Sequence, residues 1–390
     1  MGAALLALAP APVFAQAAAQ PPRRPKVEAD MDTNEAQAYL LVGQHQLEKQ
    51  PELAKAAFYW ASRIDPGSAA AYYGLQVATT LAEDGLVRMR WQGARNERDR
   101  ADRRALDSLG MRAELLDPFL QPTLERTLIA RTAEVYGVTP QALGSYLAKL
   151  GDLAFAQISM YDGRYDVALE SYAKLLKREN AGKSFYHAMR GRLFQYVGNV
   201  DSAVGSLKLA ITEAKKVEDT ALVRFYQPKA RYLYQMGWLY ESQDRSNEAR
   251  DAYGQALVED LSFYPAHQRL ALLALAQGDT TTAISEFDIA VQAGTHDVVL
   301  RVQYAYALAA TRKLAEASQQ IQQVIAKEPY YADPYLMLAR LYEATQMGDL
   351  ATESYKAFLE RAPKADLQRQ FAAERVQALA GTASKAPEQP

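Results

Sequence analysis

The stretch ADPYLMLARLYEATQMGDLATESYKAFLERAPKA, residues 332–365, decides how the rest of the chain is read. Its first half places Leu338, Leu341, Tyr342 and Thr345 on one face at helical spacing, and its second half does the same with Ala351, Tyr355 and Phe358. Between them Gln346-Met347-Gly348-Asp349 is polar and turn-forming, and Pro363 ends the second helix because proline lacks a donor and disfavours helix in the residue before it. The same writing recurs upstream every 34 residues: alanine at 249, 283, 317 and 351, and a large apolar residue four places later at Tyr253, Phe287, Ile321 and Tyr355. Twelve places before each alanine stands a small residue, Gly237, Ala271, Ala305 and Ala339. Small residues on facing helices let two backbones approach while a ring fills the space between them. A fixed period in this range predicts a solenoid of helix–turn–helix hairpins, each burying its apolar face by stacking on its neighbours.

Counted from Ala332, the last unit has Tyr335 at position 4, Leu338 at 7, Ala339 at 8, Tyr342 at 11, Ala351 at 20, Tyr355 at 24, Phe358 at 27 and Pro363 at 32. These residues resemble the tetratricopeptide repeat, and the units starting at Tyr264 and Val298 match nearly as well. The resemblance implies an all-α fold, a right-handed superhelix of about seven hairpins. It also implies that first-helix positions 2, 5, 9, 12 and 13 face a concave groove. On this chain those positions hold Tyr161, Phe185, Arg192, Tyr196, Arg231, Tyr234, Trp238, Tyr306 and Arg340. Tyr, Trp and Arg dominate binding hot spots, so the set is a candidate surface for a protein or peptide partner. The opposing expectation is that several of these rings pack between helices. The carboxylate clamp of chaperone-binding family members, Lys at 5 with Asn at 9, occurs in no repeat here.

Composition sets outer bounds. A 49% hydrophobic, 23% charged chain is not wholly disordered, and its formal charge of −2 gives no bias toward nucleic acid or anionic membrane. There is no cysteine, so disulfides, thiol nucleophiles and thiolate metal sites are excluded. No phosphate-binding glycine loop, dinucleotide fingerprint, HExxH or GxSxG occurs. The four histidines are scattered, and His187 and His267 fall at a packing position. Neither a cofactor nor a metal is expected.

Read in order, the chain opens on an apolar run from Gly2 to Phe14, too short to span a bilayer; no integral membrane segment is expected. Val13-Phe14-Ala15 before Gln16 fits signal-peptidase cleavage after Ala15, although no Lys or Arg precedes Arg23. Residues 1–15 therefore read as a signal peptide directing export to the periplasm, with a cytoplasmic adaptor that keeps its leader as the alternative. Residues 16–33 read as a disordered Pro/Ala-rich linker and 34–84 as repeats, the first running from Glu35 with Ala54, Phe58, Ala61 and Pro66 in register. Its small-residue position falls on Val42, which predicts looser packing.

Residues 85–148 read as an irregular helical insert. Val87–Arg112 carries eight arginines against four acids, either a basic surface or a solvated helix laced with i,i+3 and i,i+4 pairs, which the interleaving favours. Pro118, Pro122 and Pro140 cut the remainder into short helices, Thr139-Pro140 forming a cap and first turn, and Leu124, Leu128 and Ile129 form an apolar stripe. The array resumes over 149–365, with repeats starting near 149, 184, 230, 264, 298 and 332. Ser184 and Ala230 lie 46 residues apart, twelve more than the period, which extends a helix or adds a loop around 213–225. Asp366 is placed to cap a terminal helix over 366–380 that covers the last repeat through Ala372, Val376 and Leu379, and 381–390 reads as a disordered tail.

The function this supports is a non-catalytic interaction scaffold, not an enzyme. Likeness to other exported repeat proteins suggests envelope assembly, secretion or polysaccharide export. The rival is an enzyme or carbohydrate-binding protein with a site between the 85–148 insert and the groove.

Overall fold

The computed structural model describes residues 21–92, 94–139, 151–178, 182–220 and 228–383, and every regular element among them is a helix. The expected leader, the Pro140 cap, the start near Lys149 and residues 384–390 lie outside the described residues. The first hairpin is α1 (Ala36–Gln46) with α2 (Pro51–Ile64), followed by α3 (Ala69–Ala82). The insert contributes α4 (Asp84–Gln92), α5 (Glu97–Leu116) and α6 (Glu125–Val135). The array then runs in pairs: α7 (Asp152–Tyr161) with α8 (Tyr165–Arg178), and α9 (Lys183–Tyr196) with α10 (Val200–Thr220). Next come α11 (Lys229–Glu241) with α12 (Ser246–Glu259), and α13 (Tyr264–Ala276) with α14 (Thr280–Ala293). The last pairs are α15 (Val298–Ala310) with α16 (Leu314–Lys327) and α17 (Asp333–Ala344) with α18 (Gly348–Arg361), closed by α19 (Gln368–Ala383).

Local chemistry sets the ends. Pro51, Pro265 and Pro334 open α2, α13 and α17 within the first turn, where a missing N–H costs nothing. Side chains of Ser68, Asn96, Asp279 and Asp297 accept from the first amides of α3, α5, α14 and α15. The turn inside each of the last four hairpins passes through a left-handed residue at the same place, Asp244, Gly278, Arg312 and Gln346, with φ between 58° and 79°. Its recurrence at the repeat period keeps successive hairpins in the same shape.

The small-against-ring expectation holds at atomic scale. A Cβ on Gly237 would sit 2.2 Å from the Tyr253 ring, and that ring is pinned because its hydroxyl donates to Glu241. In the first hairpin the approach falls one residue later than expected. Val42 is half-buried, and it is Gly43 whose Cβ would come within 2.7 Å of Phe58. Gly74 of α3 faces the same ring, and a Cβ there would sit 2.3 Å from it. Phe58 is thus held between two glycines, and the packing there is tight.

Two further expectations change. Residues 21–33 form a strap instead of a loose linker. The Trp60 indole donates to the Pro22 carbonyl at 2.8 Å, and Arg24 lies 4.4 Å from the Trp60 ring and 5.1 Å from that of Tyr330. Beside the strap, Asn34 donates to the Glu360 carbonyl at 2.8 Å, and Asp32 accepts from the Lys364 amide. A proline-rich chain suits this role because it lies extended and gives up few donors. The excess before Ala230 begins as helix: α10 has 21 residues where α12, α14, α16 and α18 have 14. Residues 221–227 fall outside the described set.

At the far end Asp366 accepts from the Gln368 amide at 2.7 Å and α19 continues to Ala383, past the expected 380. Ala372 is buried and Val376 and Leu379 pack on the last repeat. The result is an array, α7–α19, whose first and last parts are bridged by an N-terminal module, α1–α6. Leu128 of α6 joins the module core, and Ile129 and Ala133 pack on Ile158 of α7, so the module continues the array at one end. At the other end it meets the loops between late repeats, where Arg63 pairs with Glu328 and the Trp60 and Tyr330 rings meet edge-on at 4.8 Å.

Candidate functional site

The inner face of the central repeats is built by α9, α11, α13 and α15, and the chain's own insert lies against it. Glu114, in the last turn of α5, takes an ion pair from Arg231, a second contact from Arg192 at 3.5 Å, and an amide bond from Gln235 at 3.3 Å. The backbone beyond it is read carbonyl by carbonyl. Tyr234 donates to Leu115 at 3.1 Å, Arg192 to Pro118 at 2.9 Å, and Tyr196 to Leu120 at 3.0 Å. Leu115 belongs to the last turn of α5, where carbonyls have no partner inside the helix, so these donors satisfy groups that would otherwise be stranded. Burial pushes the Tyr196 and Tyr234 phenols up to about 12, which keeps both neutral and donating at ordinary pH.

A second anchor sits beside it. Asp297 caps α15 through the amides of Val299 and Leu300 at 3.0 and 3.1 Å. Its carboxylate is also gripped at both oxygens by Arg112 of α5, Nη2 at 2.9 Å, and touched by the Tyr264 hydroxyl at 3.3 Å. Burial alone would lower the Arg112 guanidinium; the Asp297 carboxylate outweighs it and holds the group above its ordinary value.

The nine candidate residues divide accordingly. Arg192, Tyr196, Arg231 and Tyr234 bind residues 114–120 of the same chain. Tyr161 and Phe185 line a cavity of about 280 Å³ with Gln76, Glu114 and Asp117, between the insert and the array. Tyr234 is also packing: it is 4% exposed, with the Tyr253 and Phe263 rings 5.7 and 5.5 Å away. Trp238 is half-buried beneath Arg269, whose guanidinium lies 5.0 Å from the ring. Tyr306 is 53% exposed, and Arg340 lies close enough to act on its phenol. Arg340 itself donates to Gln368 at 2.6 Å and lies 5.1 Å from the Phe371 ring.

Sequence reasoning missed Glu114, Arg112 and Asp297. Asp297 carries a local signal, an acid directly before a helical run, but nothing local points to its partner 185 residues away. The arginine run behaves as two parts. Arg98, Arg100 and Arg103 pair with Asp102, Glu97 and Asp107 on an exposed helix face, as the interleaving predicts, whereas Arg112 crosses to the array. His267 is buried between Glu286 at 2.6 Å and the Leu261 carbonyl at 3.3 Å, a structural position. Among the described residues no His/Asp/Glu cluster is arranged to hold a metal, and no helix is long and apolar enough to cross a membrane.

Comparison with known proteins agrees with the repeat geometry. The tetratricopeptide repeat family model matches residues 234–298. No curated protein matches the sequence. Among solved structures, the chain is similar to PilF of Pseudomonas aeruginosa at 18% identity, over 59% of this chain and 99% of that one, with a TM-score of 0.45. It is similar to YrrB, described as a tetratricopeptide-repeat protein with an unusual peptide-binding site, at 19% identity over 53% and 100%, TM-score 0.43. A tetratricopeptide repeat protein from Parabacteroides merdae gives 16% identity over 68% and 98%, TM-score 0.39. Residues 234–298 match the family pattern and helical hairpins pack on both sides of that stretch, so the chain is a helical repeat array with tetratricopeptide repeats in it.

Proposed function

We propose that the chain is a non-catalytic scaffold that holds a protein or peptide partner on the uncovered end of the inner face, around Tyr306 and Arg340. The contrast between equivalent faces carries this reading. The Tyr234 hydroxyl and Arg231 are spent on the insert, while Tyr306, two repeats on, keeps half of its surface in water beside an exposed Arg340. Exposed Tyr and Arg on a rigid helix face are the side chains that anchor partners most strongly. Phe371, 39% exposed under Arg340, extends the patch onto the capping helix.

A photo-reactive phenylalanine derivative placed at 306 should give a defined cross-linked adduct in cells, and Arg340→Glu should reduce it by about tenfold or more, as for a hot-spot contact. The melting temperature should hardly move, since changes at exposed sites cost within about 0.5 kcal/mol. An adduct unchanged by Arg340→Glu would remove this face from consideration.

Export is part of the same proposal, supported by the apolar run of Gly2–Phe14 and the Val13-Phe14-Ala15 site. It would place the scaffold in the periplasm, in envelope assembly, secretion or polysaccharide export. Mass spectrometry of the native protein is expected to find Gln16 as the first residue, and an intact Met1 would defeat the reading.

A further inference from the structure

The inner face of the central repeats gives donors to residues 114–120, and these answer with acceptors: one carboxylate at Glu114 and three carbonyls, at Leu115, Pro118 and Leu120; the reverse pair, Arg112 donating to Asp297, lies just before this segment. Such a surface recognises a chemical outline more than a sequence. It fits a helix that ends with a glutamate in its last turn and continues as a short non-helical segment with its carbonyls free. Side-chain identity enters at the glutamate and at Phe119, which packs on the cluster around Leu233 and Tyr234.

The insert's hold on this face is of the kind that exchanges. No helix of the array lies packed along α5; its close helical neighbour is α3, which secures it through the Gln76 side chain on the Leu106 carbonyl at 2.9 Å. The first half of α5 spends its charges on itself, in the pairs Glu97–Arg100, Arg98–Asp102 and Arg103–Asp107, and stays in water. What fastens residues 114–120 to the repeats is a short row of ionic and carbonyl-directed bonds with one ring behind them. Contacts of that composition resemble those between mobile domains more than those inside a core.

We propose that this face is a docking surface for an acidic helix end in a partner protein, and that residues 114–120 are its resident occupant, displaced when such a partner segment binds. The inference stands independently of the Tyr306 patch, which uses other residues at the far end of the face. In its resting state the scaffold keeps its central donors satisfied and closed to weak ligands. A partner offering the same outline at higher effective concentration takes them over, and residues 114–120 lift away while α3 and the Arg112–Asp297 pair keep the rest of α5 in place. Because the contacts are ionic and partly exposed, salt should loosen the insert.

The test uses the full chain and a fluorescein-labelled peptide of residues 108–122, SLGMRAELLDPFLQP. Binding to the unaltered protein should be weak. Glu114→Ala, which weakens the resident occupant and leaves the face intact, should tighten it by about tenfold or more, since the cost of displacing the occupant is removed. The same peptide with its glutamate replaced by alanine should lose that gain, and so should a protein carrying Arg231→Ala as well. A Glu114→Ala protein that is folded but binds no better than its parent would mean the insert is a permanent part of the core. Hydrogen exchange on the unaltered protein keeps the answer clear if that variant misfolds. The amides of 113–120 should exchange faster than those of α11 and α13, and faster still with added peptide or as salt rises from about 0.05 to about 0.5 M. Exchange of 113–120 in step with α11 and α13 under all conditions would overturn the proposal.

Discussion

Asp297→Ala is expected to destabilise the protein by about 3–5 kcal/mol, the range found when one member of a buried ion pair is removed and its partner is left uncompensated. The Asp297 side chain is 5% exposed and does three tasks at once. It starts α15 through two amides, holds Arg112 at both oxygens, and accepts from Tyr264. Loss of the cap alone accounts for about 1 kcal/mol. The rest comes from Arg112, whose guanidinium would stay largely buried with neutral hydrogen-bond partners, the Pro66 carbonyl at 3.5 Å and the Tyr72 and Tyr264 hydroxyls. Urea denaturation followed by far-ultraviolet circular dichroism measures the loss. The double change Arg112→Met with Asp297→Asn should recover a good part of it, because no charge is then stranded and an asparagine still caps the helix. A loss below about 1 kcal/mol for Asp297→Ala would mean that Arg112 finds water, and that the contact between module and array is not closed there.

Phe58→Ala is expected to cost about as much, roughly 3–5 kcal/mol, by a different route. The ring is 1% exposed and lies between Gly43 of α1 and Gly74 of α3. Most core cavities shrink because neighbouring side chains lean in. Here the neighbours on two sides are glycines on separate helices, with no side chain to move, so the cavity persists unless whole helices shift. Since repeat arrays gain stability from nearest-neighbour contacts, the damage should stay in the module. Calorimetry should resolve an early transition for the module ahead of the array, in place of one shared transition. A single transition displaced by less than about 1 kcal/mol would show that α1 and α3 close on each other without the ring.

The first change breaks a contact between the array and the N-terminal module and the second falls inside that module, the part that departs furthest from the regular repeats, and together they separate two kinds of information in the chain. The hairpins of 230–365 could be read directly, because each rests on interactions three, four or sixteen residues apart that repeat at one period. Gly237 against Tyr253 and Ala351 beside Tyr355 lie within one 34-residue window, and helical periodicity is enough to place them. The shift from Val42 to Gly43 shows where such reading fails by one residue. Position counting picks the expected place, but a β-branched side chain cannot lie flat under a ring and its glycine neighbour can. Residues 21–33 misled for a related reason. Proline and alanine suggest a linker, and only the distant Trp60 and Tyr330 rings turn that extended chain into a strap.

The sequence by itself determined the helical hairpins, their register and the residues that pack between them. Those are consequences of local periodicity, and every residue needed to argue them lies within a repeat of the next. Tertiary structure alone decided what that face touches. Glu114 meets Arg231 across 117 positions, and Arg112 meets Asp297 across 185. Small rotations from repeat to repeat accumulate until the array curves round α5, and no period in the sequence records where that curve comes back to the chain's own beginning. The tyrosines and arginines at groove positions were therefore legible as donors, while the acceptors they hold, and the patch at Tyr306 and Arg340 that stays uncovered, emerged only when the insert took its place among them.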